Sequence, residues 1–261
     1  MFVLFIVSAS LTAAVSIPDP NLKAAIKAKL GITHDPNESE MLLLTYLKAD
    51  SNGISNLTGL GYATNLKTLR LNLNSISDVN ALLGLVKLTY LNLNDNNITD
   101  INSLGNLTKL VYLYMSRNDD ISDINALADM NSLSELGLAD VNLSNITPLA
   151  DVNQIKYLWL TYNKIEDISP LLGYYSLRAL YLGSNPLSFD SRCDYLHQIV
   201  ANNSDNPGFS MNPVISGDIS IYSTDVNDLR IFAEQWLKTG NANNAYCHCA
   251  DSVLPNIVNF E

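Results

Sequence analysis

The sequence predicts an α/β solenoid: a horseshoe with parallel strands on its concave side, 3₁₀ or irregular turns on its convex side, and helical N- and C-terminal caps. Three observations carry this prediction. Segments beginning at Leu66, Leu88, Leu110, Leu133, Ile155 and Leu177 align on one another with a period of about 22 residues, and a weaker unit begins at Leu44. Within each segment an alternating L-x-L core gives way to apolar residues at three-residue intervals. The array is flanked on both sides by short stretches of helical spacing, as an otherwise open stack requires.

Residues 1–16 read as a signal peptide. Phe2 to Val15 form an uncharged apolar run, and Ala14 and Ser16 stand three and one residues before a cut at Ile17. No Lys or Arg precedes the run, so either the true start lies upstream or the segment is an ordinary buried strand, and the run is short for a membrane span. Residues 17–43 form the N-terminal cap. Here Pro18-Asp19-Pro20 leads into a helix with Leu22, Ile26 and Leu30 on one face and Gly31 as its stop.

Residues 44–187 hold about seven units of the form L-x-x-L-x-L-x-x-N-x-I/L, the leucine-rich repeat signature. Alternation places Leu69 and Leu71, Leu91 and Leu93, Leu158 and Leu160 inward on one short strand per unit. The triads Val79/Leu82/Leu85, Ile101/Leu104/Leu107 and Ile168/Leu171/Tyr174 suit a 3₁₀ turn on the opposite side. Asn74, Asn96, Asn118, Asn163 and Asn185 follow the strands at one equivalent position, where a buried amide needs backbone partners; they predict a ladder. Asp78, Asp100, Asp123 and Asp167 recur as turn-forming residues. Two departures break the pattern: an additional residue around Asp119-Asp120, and Val141 in the place of a ladder asparagine.

Residues 188–213 form the C-terminal cap, with Phe189, Cys193, Leu196 and Ile199/Val200 at helical spacing before Pro207-Gly208. Cys193 and His197 stand four apart and read as packing residues, since no further metal ligand lies nearby. The N-x-I-x-D-I/V core, the opening IPDPNLKAAIKAKLG and the closing NPLSFDSRCDYLHQIV resemble secreted bacterial leucine-rich repeat proteins of the internalin type, from Ile17 to about Pro213. That resemblance implies the solenoid fold and a binding role, with the ligand left open. Residues 214–261 are similar to the paired loop-helix units of dockerin modules, in degenerate or truncated form. Ile219 and Ile221 stand where a calcium loop needs oxygen ligands.

Composition narrows the function. Lys and Arg number 15 against 26 Asp and Glu, a net charge of −11 that repels phosphate backbones, so no nucleic-acid partner is expected. After signal removal no stretch is long enough for a membrane span. Three cysteines (Cys193, Cys247, Cys249), all late in the chain, do not make a disulfide scaffold. No nucleophile, metal or phosphate-loop motif occurs, and three scattered histidines offer little for acid-base chemistry, so no catalytic residue, metal or cofactor is assigned. Most of the sequons at Asn56, Asn97, Asn106 and Asn145 fall out of the repeat consensus.

The outward strand positions give the candidate site. Register places Tyr46, Tyr90, Tyr112, Glu135 and Tyr157 at the third position of successive units, and Arg70, Tyr114, Gly137, Trp159 and Tyr181 at the fifth. Exposed Tyr and Trp have no core reason to stand there, and such rings supply binding energy at protein and glycan surfaces. Gly137 and Ala139 read as a low spot between ring pairs; stacking that merely stabilises the sheet is the competing account. The expectation is a non-catalytic recognition protein, secreted or held at the cell surface, binding an extracellular protein through this concave face. The alternatives are a glycan-binding or adhesion module anchored in a larger extracellular assembly, and a purely structural surface protein.

Overall fold

The structure, a computed structural model, describes residues 13–118, 120–188, 190–206 and 209–212. Most of the leader run, the dockerin-like segment, Asp119 and Phe189 lie outside the described residues, as does the side chain of Cys193.

Eight three-residue strands form one parallel sheet in chain order: β1 Tyr46–Lys48, β2 Thr68–Arg70, β3 Tyr90–Asn92, β4 Tyr112–Tyr114, β5 Glu135–Gly137, β6 Tyr157–Trp159, β7 Ala179–Tyr181 and β8 Ser210–Asn212. The central residue of each of the first seven is a leucine turned inward and fully buried. Opposite the sheet, 3₁₀ turns such as Asn80–Leu82, Asn102–Leu104 and Ser169–Leu171 bury the predicted triads, Tyr174 included. These turns start where they do because a side chain seeds each one. Asp78, Asp100, Asp123 and Asp167 accept the backbone N–H two residues on at 2.7–2.8 Å, and Asn56 and Asn145 do the same in their own units.

The asparagine ladder is formed. Asn96 Nδ2 donates to the Leu71 and Leu93 carbonyls at 3.0 Å, and its Oδ1 accepts from Ile76 N–H at 3.0 Å. Asn74, Asn118, Asn163 and Asn185 repeat the arrangement, each tying its own turn to the one before. At the break, Ile121 N–H is accepted instead by the Val141 backbone carbonyl at 3.0 Å, and the Val141 side chain is buried. A main-chain oxygen thus takes the role of the missing amide oxygen, so the Ile121 N–H keeps an acceptor.

The residue before each ladder position is left-handed: Leu73, Asp95, Arg117, Asp140, Tyr162 and Ser184 all have φ of 55–58°. Asn142, beside the break, adds a further one at 65°.

Helix α1, Pro20–Leu30, buries Leu22 and Ile26 and ends at left-handed Gly31. Its N-cap is Asp19, whose Oδ1 accepts from Asn21 and Leu22 N–H while Oδ2 accepts from Ser55 and Asn56 N–H. One carboxylate therefore caps the helix and ties it to the first repeat. Burial pushes that carboxyl up, but the N–H groups of Ser55, Leu22, Asn56 and Asn21 together outweigh it and hold it below its ordinary value. A short helix α2, Glu38–Met41, follows with a capping box on Asn37 and Glu40. Residues Ala14–Ser16, which the sequence reading placed in the leader, join this cap: Val15 N–H donates to the Pro36 carbonyl at 2.7 Å, and the Val15 side chain is buried.

At the other end a π-turn, Ser191–Tyr195, runs into α3, Leu196–Asn203. Asn203, fully buried, accepts from Leu177 N–H and donates to the Tyr174 carbonyl, which satisfies the last turn. His197 is exposed, contrary to its reading as a packing residue; the helix buries Leu196, Ile199 and Asn203. The strand β8 had no repeat motif to announce it and pairs in register with β7.

Candidate concave recognition face

The sheet stacks the outward positions into rows. Tyr46, Thr68, Tyr90, Tyr112, Glu135, Tyr157 and Ala179 share one row; Lys48, Arg70, Asn92, Tyr114, Gly137, Trp159 and Tyr181 share the next. Neighbouring parallel strands lie about 4.8 Å apart, so adjacent side chains in a row are within ring-contact distance.

The aromatic residues use this spacing to form a continuous cluster. Tyr90 meets Tyr112 and Tyr114 at centroid distances of 5.8 Å. Tyr114 meets Trp159 at 6.1 Å with tilted planes, and Trp159 lies nearly parallel to both Tyr157 (15°) and Tyr181 (4°). The Tyr114 hydroxyl donates to the Glu135 carboxylate. Burial, then the Glu135 carboxylate beside it, raises this hydroxyl above its ordinary value, so it stays a donor through the neutral range.

Gly137 is no open notch. It is buried, and a Cβ there would lie 3.2 Å from Tyr114 Cδ1, so the phenol ring already covers it. Ala179, although in the outward row, is also buried where β8 pairs alongside.

Of the predicted site residues, Tyr90, Tyr112, Tyr114, Glu135, Gly137, Tyr157, Trp159 and Tyr181 come together. Tyr46 and Arg70 do not join them. Tyr46 lies under the Lys29 ammonium, 5.1 Å from its ring centroid, and Arg70 pairs with Asp50 at 2.9 Å. Beside Arg70 the sequence reading missed a polar set: Asp50 Oδ1, Arg70 Nε and Asn72 Oδ1 are buried without a hydrogen-bond partner. The signal for Asp50 and Asn72 was available, since they sit two residues past the fifth position and keep the same outward alternation. Asn94 and Ser116 in that column brace the sheet, accepting from Ser116 N–H at 2.8 Å and Ala139 N–H at 3.0 Å.

Among the described residues no three His, Cys, Asp or Glu side chains gather to hold a metal ion, and no helix is long and apolar enough to cross a membrane. Two hollows among the described residues lie away from the rings; one is lined by Ser55, Asn56 and Tyr62, the other by Asn145, Lys164 and Glu166.

The parallel sheet of three-residue strands, the 3₁₀ turns and the amide ladder define a leucine-rich repeat solenoid, and a family model for leucine-rich repeats in two copies matches residues 86–129. No curated protein matches the sequence. Among solved structures, the internalin inlF from Listeria monocytogenes is 34% identical with a TM-score of 0.68, covering 74% of this chain and 58% of that one. The internalin C2 from the same organism is 30% identical with a TM-score of 0.53, covering 66% of this chain and 86% of that one. The chain belongs to the internalin family of leucine-rich repeat proteins, although it spans only 58% of the inlF chain. The functional domain of InlJ from Listeria monocytogenes, at 21% identity and a TM-score of 0.56, shares the fold.

Proposed function

We propose that this is a non-catalytic recognition protein, secreted or held at the cell surface, that binds an extracellular protein through its concave face. The observation that carries the reading is the ring cluster running from exposed Tyr112 through half-buried Tyr90, Tyr114 and Trp159 to Tyr181, held before any ligand arrives. Rigid aromatic groups lose little conformational freedom on binding and are the residues that dominate protein interfaces. The partly exposed Arg70 side chain, paired with Asp50, adds a charged group at one end of the same face.

A protein partner is favoured over a sugar by how the rings are disposed. A sugar ring stacks on an open aromatic face, whereas Trp159 already has parallel neighbours in Tyr157 and Tyr181. The apolar N-terminal run supports export.

The test is capture from extracellular proteins and from a glycan array, run with the unaltered chain and with Trp159→Ala and Tyr114→Ala. Protein capture lost in both folded variants supports the proposal. Ring-dependent glycan capture reverses the order of the two readings, and capture indifferent to both substitutions removes the concave face from the account.

A further inference from the structure

We propose that the unheld first rung of the amide ladder makes Asn52 a site of spontaneous covalent modification. Its side chain closes on the Gly53 nitrogen, expels ammonia, and is opened by water to aspartate and isoaspartate. Asn52-Gly53 is the one Asn-Gly pair in the chain. Glycine in the second place matters because no Cβ obstructs the approach of its nitrogen to the preceding side chain.

The pair falls where the ladder starts. The register of β1 on β2 makes Asn52 the equivalent of Asn74 one unit later. Asn74 Nδ2 is held by the Ala49 and Leu71 carbonyls at 2.9 and 2.8 Å, and the N–H of the next residue, Ser75, donates to the Ile54 carbonyl at 2.9 Å. Two of these three acceptors belong to the preceding unit, and the first unit has no repeat before it. Asn52 is exposed, and among the described residues neither its side-chain amide nor the Gly53 N–H has a hydrogen-bond partner. The two groups that react are thus the two that the stack holds elsewhere.

The backbone around them is held. Asn74 Oδ1 accepts from Asn52 N–H at 3.1 Å and from Ile54 N–H at 2.9 Å, and the Gly53 carbonyl accepts from Asn21 Nδ2 at 3.1 Å. The reaction therefore runs from a folded turn, more slowly than in the unfolded chain.

The Gly53 nitrogen loses its proton and bonds to Asn52 Cγ; the Cγ–Nδ2 bond breaks, and ammonia leaves with that proton. Water then opens the cyclic imide, its hydroxyl going to one carbonyl carbon and its hydrogen to the nitrogen. Opening at Cγ gives aspartate. Opening at the main-chain carbonyl gives isoaspartate, whose backbone runs through the side chain and is one methylene longer. Either product adds a carboxylate to the first turn, and isoaspartate also lengthens the chain between the two N–H groups that Asn74 Oδ1 accepts.

The experiment incubates the folded full chain at mildly alkaline pH and maps its peptides by mass, beside a Ser75→Gly variant and both chains unfolded in guanidinium chloride. Ser75→Gly supplies a second Asn-Gly pair at a rung whose amide is held. Expected at Asn52 is a mass gain equal to the difference between water and ammonia, divided between aspartate and isoaspartate and faster as pH rises. Asn74 in the folded variant should stay intact and should convert once that variant is unfolded. A folded chain whose Asn52 is intact when the unfolded chain has converted overturns the proposal. Equal conversion of Asn74 and Asn52 in the folded variant overturns it as well, because the missing rung would then not be what selects Asn52.

Discussion

Tyr114 and Trp159 stand two strands apart on the concave face, yet their ring centroids are only 6.1 Å from each other. The strand between them presents Gly137 in the same row, so both rings lean over a position with no side chain. The glycine closes the aromatic cluster, where a larger residue would divide it.

Gly137→Ala should therefore disturb the face more than the fold. The new methyl would meet Tyr114 Cδ1 at 3.2 Å and Ser116 Oγ at 3.3 Å, both side-chain atoms able to give by a few tenths of an ångström. Expected are a stability change within about 1 kcal/mol in urea, a shifted Trp159 emission, and a several-fold loss of ligand capture. Unchanged emission and capture would show that the Tyr114–Trp159 contact is incidental.

The ladder predicts opposite rules at two equivalent positions. Asn96→Ala removes an amide that serves Leu71, Leu93 and Ile76, and should cost about 3 kcal/mol in chemical unfolding. Val141→Asn restores the consensus residue but should also destabilise, by about 1–2 kcal/mol, because Ile121 N–H is already taken by the Val141 carbonyl and the new amide oxygen is buried without a donor. A stabilised Val141→Asn variant would contradict the backbone substitution described here.

Asp19 links acid stability to the N-terminal cap. Its folded carboxyl lies below its ordinary value, so folding favours the ionised form; the contribution is present above about pH 4 and is lost as pH falls through the folded value. Thermal melts between pH 5 and pH 2 should fall more steeply for the unaltered chain than for Asp19→Asn. Asp19→Ala should cost about 2–4 kcal/mol at neutral pH, since four backbone N–H groups lose their acceptor.

Leu73 offers a gain in stability. It is 52% exposed and held at φ 58°, so it has little to lose in packing and carries the strain of a left-handed backbone. Leu73→Asn, whose side chain tolerates that conformation, should stabilise by about 0.5–1 kcal/mol and raise the melting temperature by a few degrees. A lower melting temperature would mean that the leucine packs in a way its exposure conceals.

Much of this arrangement is legible from residue types alone. The L-x-L pairs, the triads at three-residue intervals, the amides and the turn-forming aspartates all took the places their spacing assigned, because the first three depend on a neighbour one repeat away and the aspartates on a backbone N–H two residues on. The concave rows were legible for the same reason. Their interior was not: Gly137 read as a gap because alternation gives the direction of a side chain and not the rotamer of the next one. The strand β8 and the seating of Val15 were also out of reach, since each arises where the repeat ends or meets a non-repeating element.

The sequence by itself determined the solenoid, its register and the list of side chains on each face. In a stack whose turns touch only their neighbours, a contact between positions about 22 residues apart is written into the period. Tertiary structure decided what no period encodes: that Tyr114 covers Gly137 and reaches Glu135 and Trp159, that a carbonyl replaces the missing amide at Val141, and that Val15 belongs to the folded cap. Those outcomes depend on packing in three dimensions, where one side chain's volume sets the space left to another.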